Sequence, residues 1–140
     1  MQPDAQFKKV IRLISEDNLA QAEAVCLELL SSDPADINLS ALLGAILLKG
    51  GRLDEAESIL LDVTRTTPTF AKPHQDLAIL YANREDYLAA AKYFRLATEI
   101  DPQLSAAFSG LSHVLDRLGD DRAASEARDK YLALVPANTL

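Results

Sequence analysis

A 34-residue period constrains the fold of this chain more than any other feature of its sequence. Four of the six prolines are spaced 34 residues apart, at Pro34, Pro68, Pro102 and Pro136. Twelve residues before each of them stands an alanine, at Ala22, Ala56, Ala90 and Ala124. A further column at the same spacing holds a large side chain, at Leu13, Leu47, Tyr81 and Leu115. Because independent columns share one register, the 140 residues are predicted to form four repeated units.

Each unit contains two apolar stretches with helical spacing, separated by a short polar turn. Gly51 and Gly119 lie in two of these turns, where a positive φ often ends a helix. The prolines lie between units, where proline ends one helix and is tolerated at the start of the next. We therefore predict eight helices, over residues 4–16, 19–31, 37–49, 53–66, 71–83, 87–100, 105–118 and 121–134.

Small side chains recur where the two helices of a unit would cross. Close helix packing needs such residues at the crossing. Gly44 and Ala78 on first helices, with Ala56 and Ala90 on second helices, meet this need. A large residue at either of the last two positions is expected to overpack the core, at a cost of about 1–3 kcal/mol.

These units resemble the tetratricopeptide repeat, a helix–turn–helix unit with Leu-Gly, a later Leu or Tyr, then Ala, Phe and Pro. The third unit matches best, with Leu77-Ala78, Tyr81, Ala90, Phe94 and Pro102. The tryptophan common in the family is absent, since the chain has none. The resemblance implies an all-α, right-handed α-solenoid. It would form a single domain over 1–140, with repeats at about 3–36, 37–70, 71–104 and 105–138.

Polar residues replace apolar ones in the two end repeats. Lys9 stands where the other repeats have leucine, Asp121 where they have leucine or tyrosine, and Arg128 where they have cysteine, leucine or phenylalanine. A stacked array needs polar terminal faces. We interpret these residues as partial caps, with neutral drift in the end repeats as the alternative.

The resemblance also implies a function. In the family, first helices line a concave face that binds a protein partner. Carried over by position, that face would comprise Phe7, Ile11, Asn38, Ala41, Ala45, Leu48, Lys49, Lys72, Gln75, Ile79, Asn83, His113 and Arg117. An apolar stripe with flanking cations suits a helix or extended peptide. The alternative is that Leu48 and Ile79 pack within the solenoid, that Phe7 covers its open end, and that the lysines are merely solvated.

Composition excludes several partner classes. The net charge of −7 disfavours nucleic acid, whose binders are usually basic. No apolar run of about 18 residues is present, so no membrane insertion is predicted. Lys8, Lys9 and Arg12 interrupt the N-terminal apolar stretch, so it does not resemble a secretory signal. We expect a cytoplasmic protein, although a periplasmic chain whose signal has been removed would look the same.

No catalytic or metal-binding pattern is found. His74 and His113 belong to no zinc motif, and the single cysteine, Cys26, occupies an apolar column as a small core residue. The glycines around Lys49 lack the strand–loop–helix context of a phosphate loop. The family's site for chaperone C-terminal carboxylates is not expected either, because only Lys72 fits it and Asp76 would repel a carboxylate.

The sequence therefore predicts a non-catalytic protein-interaction module without cofactor or metal, acting as an adaptor or assembly scaffold. Two alternatives remain. The chain could self-associate as a homodimer through the end of its last helix, at Tyr131, Leu132, Leu134 and Val135. It could also be the targeting segment of a larger enzyme.

Overall fold

The described part of the chain is entirely helical. The computed structural model describes the backbone of residues 3–136 and the side chains of residues 5–136. Eight α-helices and no strand are found in that range: α1 (Pro3–Ser15), α2 (Leu19–Ser32), α3 (Ile37–Lys49), α4 (Leu53–Thr66), α5 (Ala71–Asn83), α6 (Tyr87–Ile100), α7 (Ser105–Leu118) and α8 (Asp121–Leu134). The predicted all-α fold is confirmed, and every predicted helix boundary lies within one residue of the observed one.

The helices group into two compact units, divided after Pro68. The first unit holds α1 to α4 and the second holds α5 to α8. Within each unit, every helix packs against the next one along the chain. In the second unit the two first helices, α5 and α7, also touch each other. Each unit is thus two stacked helix–turn–helix pairs. The prediction of a single domain over 1–140 stays a prediction.

The turn inside every repeat has the same backbone geometry. Two or three residues after each first helix ends, a backbone N–H donates to the carbonyl five residues earlier, at 2.8–3.0 Å; the donors are Asn18, Arg52, Asp86 and Asp120. The residue before each donor has a positive φ of 58° to 81° in all four repeats, at Asp17, Gly51, Glu85 and Gly119. This pair of features defines the Schellman motif, which satisfies the last carbonyls of a helix. The prediction of positive φ at the two glycines is confirmed.

Small residues allow the helices to approach closely. The four periodic alanines are completely buried. A Cβ atom built on Gly44 would lie 2.6 Å from Leu60 Cδ2, so a side chain fits this crossing of α3 and α4 only if Leu60 shifts. In the second unit, a Cβ on Gly110 would lie 2.3 Å from Phe94 Cζ, where α7 crosses α6. Gly44 therefore has its predicted packing role, and Gly110, which was not predicted, has the same role in the second unit.

The second helices of the two units begin differently. Asp86 and Asp120 accept hydrogen bonds from the backbone N–H groups of Ala89 and Ala123, both at 3.2 Å, and so cap α6 and α8. The equivalent residues in the first unit, Asn18 and Arg52, make no side-chain cap. Arg52 instead contacts two carboxylates, as described below.

The end repeats carry the polar substitutions on their surfaces. Lys9, Asp121 and Arg128 are all exposed, and Arg128 donates a hydrogen bond to Asp116 Oδ2 at 3.1 Å. These positions fit the predicted capping role without testing it against drift. Within the part of the chain that the structure describes, no helix is both long and apolar enough to span a bilayer.

Candidate functional site

The first helices of the second unit lie side by side and present the predicted site residues on adjacent surfaces. Lys72 and Asn83 on α5 are exposed, and so are His113 and Arg117 on α7. Ile79 lies between the α5 residues and is half-buried against the core of this unit. The two helices that carry these five residues, α5 and α7, touch each other. We call the five residues the α5–α7 face.

Two α5 residues differ from what the helical pattern alone indicates, Gln75 in its exposure and Lys72 in its available charge. Gln75 is 5% exposed, and its Oε1 atom is buried without a hydrogen-bond partner. Lys72 keeps a side chain that is 53% exposed, but its Nζ lies 2.8 Å from Asp76 Oδ1. Asp76 is almost fully buried, so Lys72 balances a buried carboxylate as well as facing solvent. The positive charge of Lys72, one of the cations predicted for this surface, is therefore partly neutralised by Asp76.

Arg117 is held in place by a tyrosine of the neighbouring repeat. Its Nε and Nη2 atoms donate to Tyr87 Oη at 3.2 and 3.0 Å, and its guanidinium lies 5.3 Å from the Tyr87 ring centroid. This hydrogen bonding raises the pKa of Arg117 above its usual value. The contact joins α7 to the start of α6 and orients a cation that stays exposed.

A column of three stacked aromatic rings packs α5 against α6. Tyr93 on α6 stacks on Tyr81 at a centroid distance of 5.5 Å and on His74 at 6.2 Å. His74 and Tyr81 are two turns apart on α5, so Tyr93 contacts the same side of that helix at both points. Aromatic pairs contribute about 0.5–1.5 kcal/mol beyond area burial. The column therefore fixes α5 against α6 and leaves its opposite side to form the α5–α7 face.

In the first unit, the predicted residues divide into accessible and buried ones. Ile11 is 46% exposed and Phe7 is half-buried on α1. On α3, Asn38 and Lys49 are exposed and Ala45 is half-buried, whereas Ala41 and Leu48 are each only 8% exposed. Lys49 forms no ion pair with any described residue. The accessible members here are an apolar pair on α1 and a polar pair at the two ends of α3.

The first unit also has an ion-pair cluster that the sequence did not reveal. Arg52 Nη1 lies 2.7 Å from Glu23 on α2, and Arg52 Nη2 lies 2.8 Å from Glu55 on α4. These hydrogen bonds raise the pKa of Arg52 and lower the pKa of Glu55. Glu23 and Arg52 belong to adjacent repeats, so their contact links them. A spacing of 29 residues carries no helical signal, which explains why this pair was missed.

Tyr87 and Asp76 also modify the predicted site without having been assigned to it. His113 makes no hydrogen bond with any residue in the range 5–136, and Asp116, one turn further along α7, accepts a hydrogen bond from Arg128. Cys26 is completely buried, and its Sγ–H donates to the Leu39 carbonyl at 3.3 Å. Burial raises the pKa of its thiol to about 11, as expected for a core residue.

Across the described residues, no cluster of three His, Cys, Asp or Glu side chains could hold a metal ion.

Comparison with known proteins identifies the repeats. Two family models described as tetratricopeptide repeat match residues 13–78 and 71–104, which together span about two thirds of the chain. The chain belongs to the tetratricopeptide-repeat family. It is also 30% identical over 107 residues to human tetratricopeptide repeat protein 7B, a match that covers 76% of this chain. The matched region is only 13% of that longer relative.

Solved structures of tetratricopeptide-repeat form agree with the fold. The MamA 41-end structure from Desulfovibrio magneticus RS-1 superimposes with a TM-score of 0.78 at 23% identity, over 95% of this chain and 75% of that one. A second MamA crystal structure gives a TM-score of 0.76 at 20% identity, over 89% and 73%. At this identity the likeness establishes the helical-repeat fold. Family membership supports a role as a protein-interaction scaffold.

Proposed function

We propose that this tetratricopeptide-repeat chain binds a peptide or helix of a protein partner on the surfaces of its first helices, and that it catalyses no reaction itself. The observation that carries the proposal is the α5–α7 face. There a half-buried isoleucine and exposed polar and cationic side chains are carried by two touching helices. A central apolar anchor point with a polar rim is the usual composition of a protein-binding surface.

Pre-organisation strengthens the proposal. The Tyr81–Tyr93–His74 column fixes α5, and Tyr87 holds Arg117, so little side-chain order has to be created on binding. The chain is acidic overall, yet this face carries the exposed cation Arg117. We therefore expect the partner segment to offer one apolar side chain and a nearby acidic residue.

The test compares two double variants that introduce the same number of carboxylates. Asn83→Glu/His113→Glu changes two exposed residues of the α5–α7 face, and Arg122→Glu/Ser125→Glu changes two exposed residues of α8. Each variant and the wild type are immobilised, and proteins captured from an extract of the native cells are compared by mass spectrometry. Circular dichroism first confirms that helix content is unchanged. Lys72 is left intact because its loss would disturb buried Asp76.

We expect the first variant to lose partners that the wild type and the α8 variant both retain. Unchanged capture by the Asn83→Glu/His113→Glu variant would refute the proposal. An Ile79→Ala variant then separates the apolar anchor from charge, since it removes side-chain volume and adds no polar group.

Self-association through α8 is the second candidate. Leu132 is 44% exposed, and Tyr131, Leu134 and Val135 are half-buried at the same end of the helix. Light scattering of the wild type and a Leu132→Glu variant distinguishes the two functions. A dimer that dissociates in the variant would favour self-association, whereas a monomer at all concentrations would exclude it.

A further inference from the structure

A surface cavity of about 300 Å³ lies in the second unit, and none of its lining residues belongs to the α5–α7 face. Its lining comes from the second helices α6 and α8 and from α7 behind them. The α7 contribution is apolar and deep, because Phe108, Leu111 and Leu115 are each at most 7% exposed. A volume at the small end of the range for ligand pockets suits one large side chain.

Two cations without ion-pair partners line this cavity. Arg95 on α6 and Lys130 on α8 form no ion pair with any described residue, and both are exposed. Lys130 Nζ lies 5.7 Å from the centroid of Phe108, so its charge stands directly beside the apolar lining. Glu126 also lines the cavity but is held by Arg122 at 3.4 Å. Glu99 remains as the one lining carboxylate without an ion pair in residues 5–136.

Comparison between repeats shows that the repeat itself does not require these side chains. The positions equivalent to Arg95 hold Leu27, Leu61 and Asp129, and those equivalent to Lys130 hold Glu28, Asp62 and Leu96. The positions equivalent to Phe108 hold Gln6, Ser40 and His74. An aromatic floor with two flanking cations therefore occurs only at this site of the array. Since the fold is maintained elsewhere without them, a binding role accounts for the combination.

We propose that this cavity is a second interaction site, which binds an acidic peptide segment through one bulky apolar side chain. The apolar side chain enters against Phe108, Leu111 and Leu115, and a neighbouring carboxylate of the peptide lies between Arg95 and Lys130. Arg95 and Lys130 outnumber Glu99, the lining carboxylate without an ion pair in the described range, so charge complementarity favours an acidic segment. The site is separate from the α5–α7 face and does not depend on it.

The experiment uses a short fluorescein-labelled peptide that contains one phenylalanine flanked by aspartates, with fluorescence anisotropy as the readout. We expect saturable binding to the full chain. The Arg95→Gln/Lys130→Gln variant should weaken binding roughly tenfold, the sum of two moderate charge contacts. The control Lys92→Gln/Arg65→Gln removes the same charge from exposed positions of second helices outside the cavity and should leave affinity within about twofold.

Two further measurements keep the proposal falsifiable. Ala123→Leu fills a half-buried part of the lining without changing charge and should also weaken binding. Amide shift changes on adding the peptide should concentrate on α6, α7 and α8 around these residues. Equal weakening by the control variant, equal binding of a peptide with asparagines in place of aspartates, or shift changes confined to the α5–α7 face would each overturn the proposal.

Discussion

The two units use one backbone plan with two kinds of side-chain packing. Of the eight aromatic residues, only Phe7 belongs to the first unit, and all four tyrosines belong to the second. The first unit packs aliphatic side chains, such as Leu60 against Gly44. The second packs rings, such as Phe94 against Gly110 and Tyr93 against Tyr81. The 34-residue period therefore fixes helix ends and crossings, while the packing chemistry is free to differ.

The units also differ in how their helix starts are stabilised. Asp86 and Asp120 cap the second helices of the second unit, whereas Arg52 in the first unit forms ion pairs with Glu23 and Glu55. Exposed ion pairs contribute little in water, while a capping aspartate satisfies backbone donors that have no other partner. The second unit should accordingly depend more on a few individual side chains. The predictions below test that difference, and tyrosine fluorescence monitors the second unit because the chain has no tryptophan.

The largest expected effect is at the glycine beneath a ring. Gly110→Ala should destabilise the second unit by about 2 kcal/mol, because the added methyl would overlap the ring of Phe94, which has no flexible end to move. The matched Gly44→Ala meets the end of Leu60 instead and should cost about 1 kcal/mol or less, since alanine also favours helix. Urea unfolding followed by circular dichroism measures both. Equal costs would remove the proposed difference between ring and aliphatic packing.

Loss of a helix cap should have the next largest effect. Asp120→Ala removes the acceptor for the Ala123 N–H and should cost about 1 kcal/mol. The equivalent Asn18→Ala in the first unit removes no cap and should cost less than about 0.5 kcal/mol. Thermal unfolding of the two variants measures the stability lost by each. A larger loss for Asn18→Ala would contradict the conclusion that, among the second helices, only those of the second unit have side-chain caps.

The positive-φ turn residues allow a stabilising substitution. Glu85 adopts a φ of 61° without being glycine, so Glu85→Gly should relieve backbone strain and stabilise the chain by about 0.5–1 kcal/mol. Gly119→Ala, at the equivalent turn with a φ of 81°, should destabilise it by about 1 kcal/mol. Chemical denaturation measures whether each substitution raises or lowers the free energy of unfolding. If both variants shifted stability in the same direction, the shared turn geometry would not explain them.

A pH dependence confined to the first unit has no effect near neutral pH and develops only in alkaline solution. Because burial raises the pKa of Cys26 from its ordinary value of 9.0 to about 11, the folded state binds its proton more tightly than the unfolded state does. The stability from this group is full below pH 9 and falls as pH rises toward 11. Between pH 9 and pH 11, the free energy of unfolding should fall less in a Cys26→Ala variant than in the wild type. Parallel pH profiles for wild type and variant would show that Cys26 makes no contribution.

Much of the fold could be predicted from the sequence because helix ends are encoded locally. The prolines between repeats and Gly51 and Gly119 within them determine where helices end, and the alanine column marks the crossings. Asp17 and Glu85 could not be predicted to take a positive φ, because neither residue type signals it as glycine does. Gly110 was likewise missed, since no other repeat has a glycine at that position.

The candidate site was harder to predict than the fold. The period places residues on the first-helix side but does not show how deeply each is covered. Ile11 and Asn83 are accessible, whereas Leu48 and Gln75 on the same predicted face are buried. Ion pairs and aromatic contacts such as Lys72–Asp76 and Arg117–Tyr87 depend on side-chain geometry that spacing alone does not specify. Their effect is to reduce or fix charges that the sequence suggested were freely available.

Site-specific photocrosslinking tests the central claim that first-helix surfaces contact the partner. A photoreactive phenylalanine analogue is placed in separate chains at Asn83, at His113, and at two exposed control positions, Leu88 on α6 and Arg65 on α4. After irradiation in native cell extract, we expect adducts of one common protein at Asn83 and His113 and none of that protein at the controls. Adducts of equal yield at all four positions, or at the controls alone, would contradict the account.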